Sequence, residues 1–204
     1  MKTSALLIFT RNPELGKVKT RLAKTIGDKK ALIVYNDLLL HTRNETLAID
    51  CDKFVFYDTT IIKDDIWSDA FYQKKLQSDG DLGQRMYQAF ESLFEMGYQN
   101  CIIVGSDLFD LKRSTIETAF KKFINHDVVI GPAEDGGYYL LGLKKINPAI
   151  FQNKYWGTDS VFKATMQDLL RQKVGLLDTL NDIDTFEDLE RSSYDIVSLN
   201  LPPN

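Results

Sequence analysis

Residues 11–21 place Arg11, Lys17, Lys19 and Arg21 against a single acid, Glu14, in a chain of net charge −4. Cations gathered in this way complement phosphate oxygens, and Gly16 lets a backbone approach an anion closely. The spacing excludes two familiar phosphate loops. A Walker A loop needs Ser or Thr directly after Gly-Lys, but Val18 follows Lys17, and no Gly-x-Gly-x-x-Gly fingerprint is present. Residues 11–21 are therefore expected to be a phosphate loop of another kind. The competing reading is a solvated charged loop.

Carboxylates supply the second half of the chemistry. The apolar run Cys101-Ile102-Ile103-Val104-Gly105 leads into Ser106 and Asp107. A strand that delivers a carboxylate at its carboxyl end suits Mg²⁺, which takes one or two carboxylates plus phosphate oxygens and water. Asp110, just before a helical stretch, reads as a helix cap ahead of a metal ligand. Asp182 and Asp184 are one residue apart, so an extended segment points both to one side, where either can join Asp107. Asp135 stands beside Gly136 and Gly137 in a turn-rich link, where a carboxylate can reach an acceptor hydroxyl as a base. Gly80-Asp81-Leu82-Gly83-Gln84-Arg85 opens a helix, and Arg85 is either anion-facing or simply solvated. His41 and His126 have no comparable context.

These residues need a scaffold. Short apolar runs at 5–10, 53–57, 101–105, 127–131 and 138–143 read as strands, with a weaker one at 71–77. Helical stripes alternate with them: Ala31/Tyr35/Leu38/Leu39/Thr42, Met86/Phe90/Leu93/Phe94, Ile116/Ala119/Phe120/Phe123 and Phe162/Met166/Leu169/Leu170. The stripes are expected to be core. Gly97 is expected to end the second of these helices, and Thr185 to cap a last short one. The alternation predicts a single α/β domain over residues 1–204, with a mixed, mostly parallel central sheet flanked by helices. Loops at the carboxyl ends of such strands are where ligands bind. The tail Leu201-Pro202-Pro203-Asn204 is expected to fray.

With 204 residues and 44% apolar composition the chain can bury a sizeable core, while its acidity offers no field for a nucleic-acid backbone. Cys51 and Cys101 lie far apart beside strand-like runs and read as buried thiols. No apolar stretch has the length of a membrane span and the start lacks a cleavage site, so a cytoplasmic location is expected.

In their order along the chain, Gly16-Lys17-Val18-Lys19-Thr20-Arg21-Leu22, Gly80-Asp81-Leu82-Gly83-Gln84-Arg85-Met86, Gly105-Ser106-Asp107, Gly131-Pro132-Ala133-Glu134-Asp135-Gly136-Gly137-Tyr138-Tyr139 and Asp184-Thr185-Phe186-Glu187-Asp188-Leu189 carry a resemblance. Together they resemble a family of small bacterial glycosyltransferase-like proteins labelled arsenosugar-biosynthesis-type glycosyltransferases. More distantly they are similar to 2-phospholactate and molybdenum-cofactor guanylyltransferases. All have the nucleotide-diphosphosugar transferase (GT-A) fold. The resemblance implies that Gly16, Lys17, Lys19 and Arg21 hold nucleotide phosphates, and Arg11, Thr20 and Arg85 are expected beside them as further nucleotide-binding residues. It implies that Asp107 and Asp184 hold Mg²⁺ or Mn²⁺. The family has a small polar residue and a proline where this chain has Leu108 and Phe109, a change that bears on loop shape and on the acceptor pocket.

Three functions follow as expectations. The first is metal-dependent transfer of a sugar from a nucleotide sugar to a small-molecule acceptor. The second is nucleotidyl transfer with release of pyrophosphate, and the third is nucleotide binding without catalysis.

Overall fold

The structure, a computed structural model, describes residues 3–199. The expected frayed tail at 201–204 lies outside the described residues. Seven strands form one sheet: β1 (Ser4–Thr10), β2 (Asp52–Tyr57), β3 (Gln73–Leu76), β4 (Asn100–Val104), β5 (Val128–Pro132), β6 (Tyr138–Leu143) and β7 (Val174–Leu176), in the order β3-β2-β1-β4-β6-β5-β7. β1 runs parallel to β2 and β4, β2 to β3, and β5 to β7, while β6 is antiparallel to β4 and β5. The sheet is thus mixed and mostly parallel, as expected. In β1, Ala5, Leu6, Leu7 and Ile8 are all fully buried. A strand covered on both faces reads as a continuous apolar run, and this one is covered by helices.

The helices are α1 (Thr20–Ile26), α2 (Asp28–Leu47), α3 (Leu82–Glu95), α4 (Arg113–Lys122), α5 (Val161–Asp168) and α6 (Phe186–Arg191). Tyr35 and Leu39 of α2 and Ile116 and Ala119 of α4 pack with Leu6, Ile8 and Ile102 on one face. Met86, Phe90 and Leu93 of α3 pack with Leu7, Phe54 and Ile103 on the other, where Leu169 just past α5 joins them. Leu22 of α1, Leu38 of α2 and Leu189 of α6 form a third cluster. Two caps match expectation. Gly97 follows α3 at φ +92°, and Thr185 caps α6 in a reciprocal box with Asp188.

Several expectations are corrected. Residues 11–21 are not all loop, because α1 starts at Thr20 and carries Arg21 on its first turn. Asp110 does not cap α4. The position before α4 is Lys112, the Glu45 carboxylate accepts the Arg113 N–H at 2.6 Å, and Asp110 accepts from Ser193 Oγ. Leu170 is 83% exposed because α5 ends at Asp168, so the stripe loses its period there. The weak strand shrinks to β3, since Phe71 and Tyr72 turn back to the Ser68 carbonyl. Cys51 and Cys101 are both buried thiols with no disulfide between them, and burial pushes the Cys101 thiol up to about 12. Among the described residues no helix is long and apolar enough to cross a membrane.

Candidate active site

The loop after β1 is pinned from three sides. Tyr35 Oη accepts the Arg11 N–H at 2.8 Å and donates to the Arg11 carbonyl at 3.1 Å. Gln77 Nε2 donates to the carbonyls of Thr10 and Phe56 at 3.1 and 3.0 Å. The buried Asn12 side chain accepts from the Thr59 hydroxyl at 2.9 Å and donates to the Thr60 carbonyl at 2.9 Å. Side chains carried by this loop therefore project from a fixed backbone.

Its cations separate. Gly16, at φ +76°, turns the chain, and Lys17, with its side chain 71% exposed, pairs with Glu14 at 2.6 Å. Neither Gly16 nor Lys17 lines the cleft described below. Lys19 adopts φ 48°, ψ 43°, a left-handed conformation that costs a non-glycine residue roughly 1–2 kcal/mol. Its side chain is only 7% exposed, and Nζ lies 3.4 Å from Asp107 Oδ2. Arg21 reaches Asp184 Oδ2 at 2.9 Å.

Asp107 follows β4 across Gly105 and the buried Ser106. A Cβ at Gly105 would stand 2.7 Å from Asp107 Oδ1, so glycine allows the carboxylate to fold back over the strand end. Leu108 is buried in the core beneath, and Phe109 stacks on His41 at 4.7 Å and meets Tyr194 edge-on at 5.1 Å. Phe109 is thus a packing residue directed into the cluster under α6, while Leu108 packs in the core and also lines the cleft described below.

The late acidic segment is threaded to this point by the backbone. Leu180 N–H donates to the Pro132 carbonyl, Glu134 N–H to the Leu180 carbonyl, and Ile183 N–H to the Asp107 carbonyl at 3.0 Å. Asp182 sits next to that last bond. Burial, with the Asp107 and Asp135 carboxylates as neighbouring negative charges, pushes the Asp182 carboxyl up to about 7. Asp184, the resemblance's choice of metal partner, is engaged by Arg21 instead. Among the described residues no group of three or more His, Cys, Asp or Glu is placed to hold a metal by itself.

Asp135 lies in the turn between β5 and β6, where its Oδ1 accepts the Gly137 N–H at 2.8 Å. Gly136, at φ +86°, passes the residue 159 backbone so closely that a Cβ would come within 2.4 Å of it. The pairing of β5 with β6 shifts register at Gly131 and Pro132, next to this turn.

One open cleft of about 690 Å³ collects these groups. Arg11, Lys19, Thr20, Arg21, Arg85, Asp107, Asp135 and Asp184 all line it, and so does Asp182. Its volume is ordinary for a small-molecule site. Sequence reasoning did not single out Trp156, Thr158 or Gln77, which also line it. Their signal was weak because nothing in the local spacing of residues 155–158 marks them as near α3.

The sequence pattern of a family described as an uncharacterized protein conserved in bacteria (DUF2064) matches residues 43–158. A crystal structure from Desulfovibrio desulfuricans, provisionally described as a nucleotide-diphospho-sugar transferase, is 30% identical with a TM-score of 0.84, over 95% of this chain and 92% of that one. Two others share the fold at lower identity. The 4-diphosphocytidyl-2C-methyl-D-erythritol synthase of Anaerococcus prevotii is 13% identical with a TM-score of 0.60, over 93% of both chains. A Mycobacterium tuberculosis protein in complex with manganese is 12% identical with a TM-score of 0.53, over 93% of this chain and 97% of that one. None of the curated proteins matches the sequence. With more than half its length inside the family's pattern and a cleft where the fold places its ligands, the chain belongs to the DUF2064 family and is a transferase-like enzyme on the nucleotide-diphosphosugar transferase fold.

Proposed function

We propose that the protein is a divalent-metal-dependent glycosyltransferase that takes a nucleotide sugar and passes the sugar to an acceptor hydroxyl. The observation that carries this reading is the approach of Lys19 Nζ to Asp107 Oδ2, 3.4 Å apart at the carboxyl end of a parallel strand. A nucleoside diphosphate bound with a cation satisfies both partners at once. The Lys19 ammonium would hold a phosphate oxygen and the Asp107 carboxylate would hold the cation.

The donor set fits Mg²⁺ or Mn²⁺ because it is all oxygen. Asp107 and Asp182, which both line the cleft, would hold the cation, with phosphate oxygens and water completing its shell. A related fold solved with manganese supports the same class of ion. When bound, the ion neutralises charge on the departing diphosphate. Lys19 and Arg21 hold phosphate oxygens, Arg21 leaving Asp184 to do so. Asp135, oriented by the Gly137 N–H, accepts the proton of the acceptor hydroxyl.

Nucleotidyl transfer with release of pyrophosphate is the second reading. It is favoured by the four cations Arg11, Lys19, Arg21 and Arg85 in one cleft, more charge than a diphosphate needs. The products separate the two. With Mn²⁺ and no acceptor, nucleotide sugars should be hydrolysed slowly to nucleoside diphosphate and free sugar, and Asp107→Asn should lose this activity. Indifference to every nucleotide sugar, together with acceptor-dependent exchange of labelled pyrophosphate into a nucleoside triphosphate, would replace the first reading by the second.

A further inference from the structure

Lys19, Arg21, Asp107 and Asp182 supply the phosphate and metal groups of the cleft, and much of its remaining lining is of a different kind. Val18 and Tyr35, beside Lys19, pack on one face of the sheet. Phe9, Met86 and Trp156 pack on the opposite face, yet all three line the same cleft. Leu82 adds an apolar side chain there that is 44% exposed. Two polar groups, Gln77 and Arg85, also line the cleft.

Trp156 is held for exposure to this space. Its segment leaves the 3₁₀ turn Pro148–Phe151 and is anchored by Lys154, whose side chain is 4% exposed. The Lys154 ammonium donates to the carbonyls of Ala149 and Gln152 at 3.2 and 2.9 Å and pairs with Asp168 at 2.5 Å. Part of the indole rests on α3 at Gly83, where a Cβ would stand 2.6 Å from Cζ2. The glycine admits the ring, the lysine fixes the chain that carries it, and the indole is left half-buried at the cleft wall. An aromatic side chain positioned before the ligand arrives loses little entropy on binding.

We infer that Trp156 is the stacking platform for the base of the bound nucleotide. The inference rests on the nucleotide reading above. A nucleobase presents a flat π-face, which the indole and the apolar side chains of Met86 and Leu82 accept. It also has a polar edge, which Gln77 and Arg85 can meet. A pyranose presents hydroxyls around its whole rim and would leave them facing Met86, Leu82 and Phe9.

The molecule provides its own probe. It has two tryptophans, and the other, Trp67, is 1% exposed in the core against Tyr72, so a ligand-induced change in tryptophan fluorescence reports Trp156. The test combines fluorescence with calorimetry on the full chain in Mg²⁺. The ligands are inorganic pyrophosphate, glucose 1-phosphate and the diphosphates of adenosine, guanosine, cytidine and uridine. At least one nucleoside diphosphate should bind and change the fluorescence, while pyrophosphate should bind without doing so. Trp156→Ala should weaken that nucleotide roughly tenfold or more, the worth of one base on an aromatic ring, and leave pyrophosphate unchanged. Trp156→Phe, which keeps an aromatic face, should fall between. Should Trp156→Ala fail to fold, the wild-type fluorescence and Trp156→Phe still decide. Equal nucleotide affinity in the folded variants, or a response to glucose 1-phosphate in place of the nucleotides, overturns the inference while the phosphate site stands. Absence of binding by pyrophosphate and by every nucleotide overturns the phosphate site as well.

Discussion

Lys17 and Lys19 carry the same charge two residues apart and end in opposite environments. Lys17 is 71% exposed and pairs with Glu14 three residues away, the kind of surface contact worth little. Lys19, two residues on, is 7% exposed and meets the carboxylate of Asp107 at the end of the neighbouring strand β4. What separates them is backbone geometry. The left-handed turn at Lys19, immediately before α1, directs its side chain inward. The comparison teaches that the count of cations marks the region, while the conformation of one residue goes with the cation that faces the cleft.

The sharpest way to break this contrast is to remove each lysine in turn. Lys19→Ala should lower nucleotide affinity roughly 10- to 100-fold, the range for losing a hydrogen bond to a charged group. Lys17→Ala should leave it within about twofold. Calorimetry with Mg²⁺ measures both, and equal losses would show that the whole loop acts as a diffuse charge.

A second expectation concerns Asp182, whose folded-state carboxyl lies near 7 while a free one titrates near 3.8. The folded protein therefore holds this proton more tightly than the unfolded chain. Stability attributable to this group is full below the ordinary value and declines as pH rises through the window up to about 7. Asp182→Asn removes the decline, so its melting temperature should exceed that of the wild type by a few degrees at pH 8, at about 2–4 °C per kcal/mol, with the gap closing toward pH 4. Nucleotide with Mg²⁺ should stabilise the wild type more than this variant. A wild-type melting profile with the same pH slope as the variant would remove Asp182 from the site.

The smallest effect belongs to Gly16. Its φ of +76° is strained for alanine, so Gly16→Ala should cost about 1 kcal/mol in urea unfolding. Nucleotide affinity should stay unchanged, because Gly16 lies outside the cleft lining.

Much of the scaffold was legible because central strands covered on both faces write themselves as apolar runs. β6 appears with the bounds its residues suggest, and β1, β2 and β4 differ by a residue or so. β7 was not legible. It has three residues at the sheet edge, and only Gly175 among them is buried, so no pattern is imposed on it. α1 was missed for a similar reason, since Leu22 is its one buried residue. At the site, the cleft does gather Asp107, Asp135, Asp184, Arg11, Lys19, Thr20, Arg21 and Arg85. The different surroundings of Asp182 and Asp184 were not legible, because they depend on the Ile183 bond to Asp107 and on Arg21 arriving from α1. Trp156 escaped notice because its place is set by Gly83, far away in sequence.

The central claim is that Asp107 and Lys19 form one site for a nucleotide bound together with a divalent cation. Calorimetric titration of the nucleoside diphosphates into wild type and Asp107→Asn, each with and without Mg²⁺, tests it directly. Mg²⁺ should strengthen binding to the wild type at least tenfold and have no such effect on Asp107→Asn, which should still bind the nucleotide weakly through Lys19 and Arg21. An equal gain from Mg²⁺ in both proteins, or no nucleotide binding by the wild type, would contradict the account.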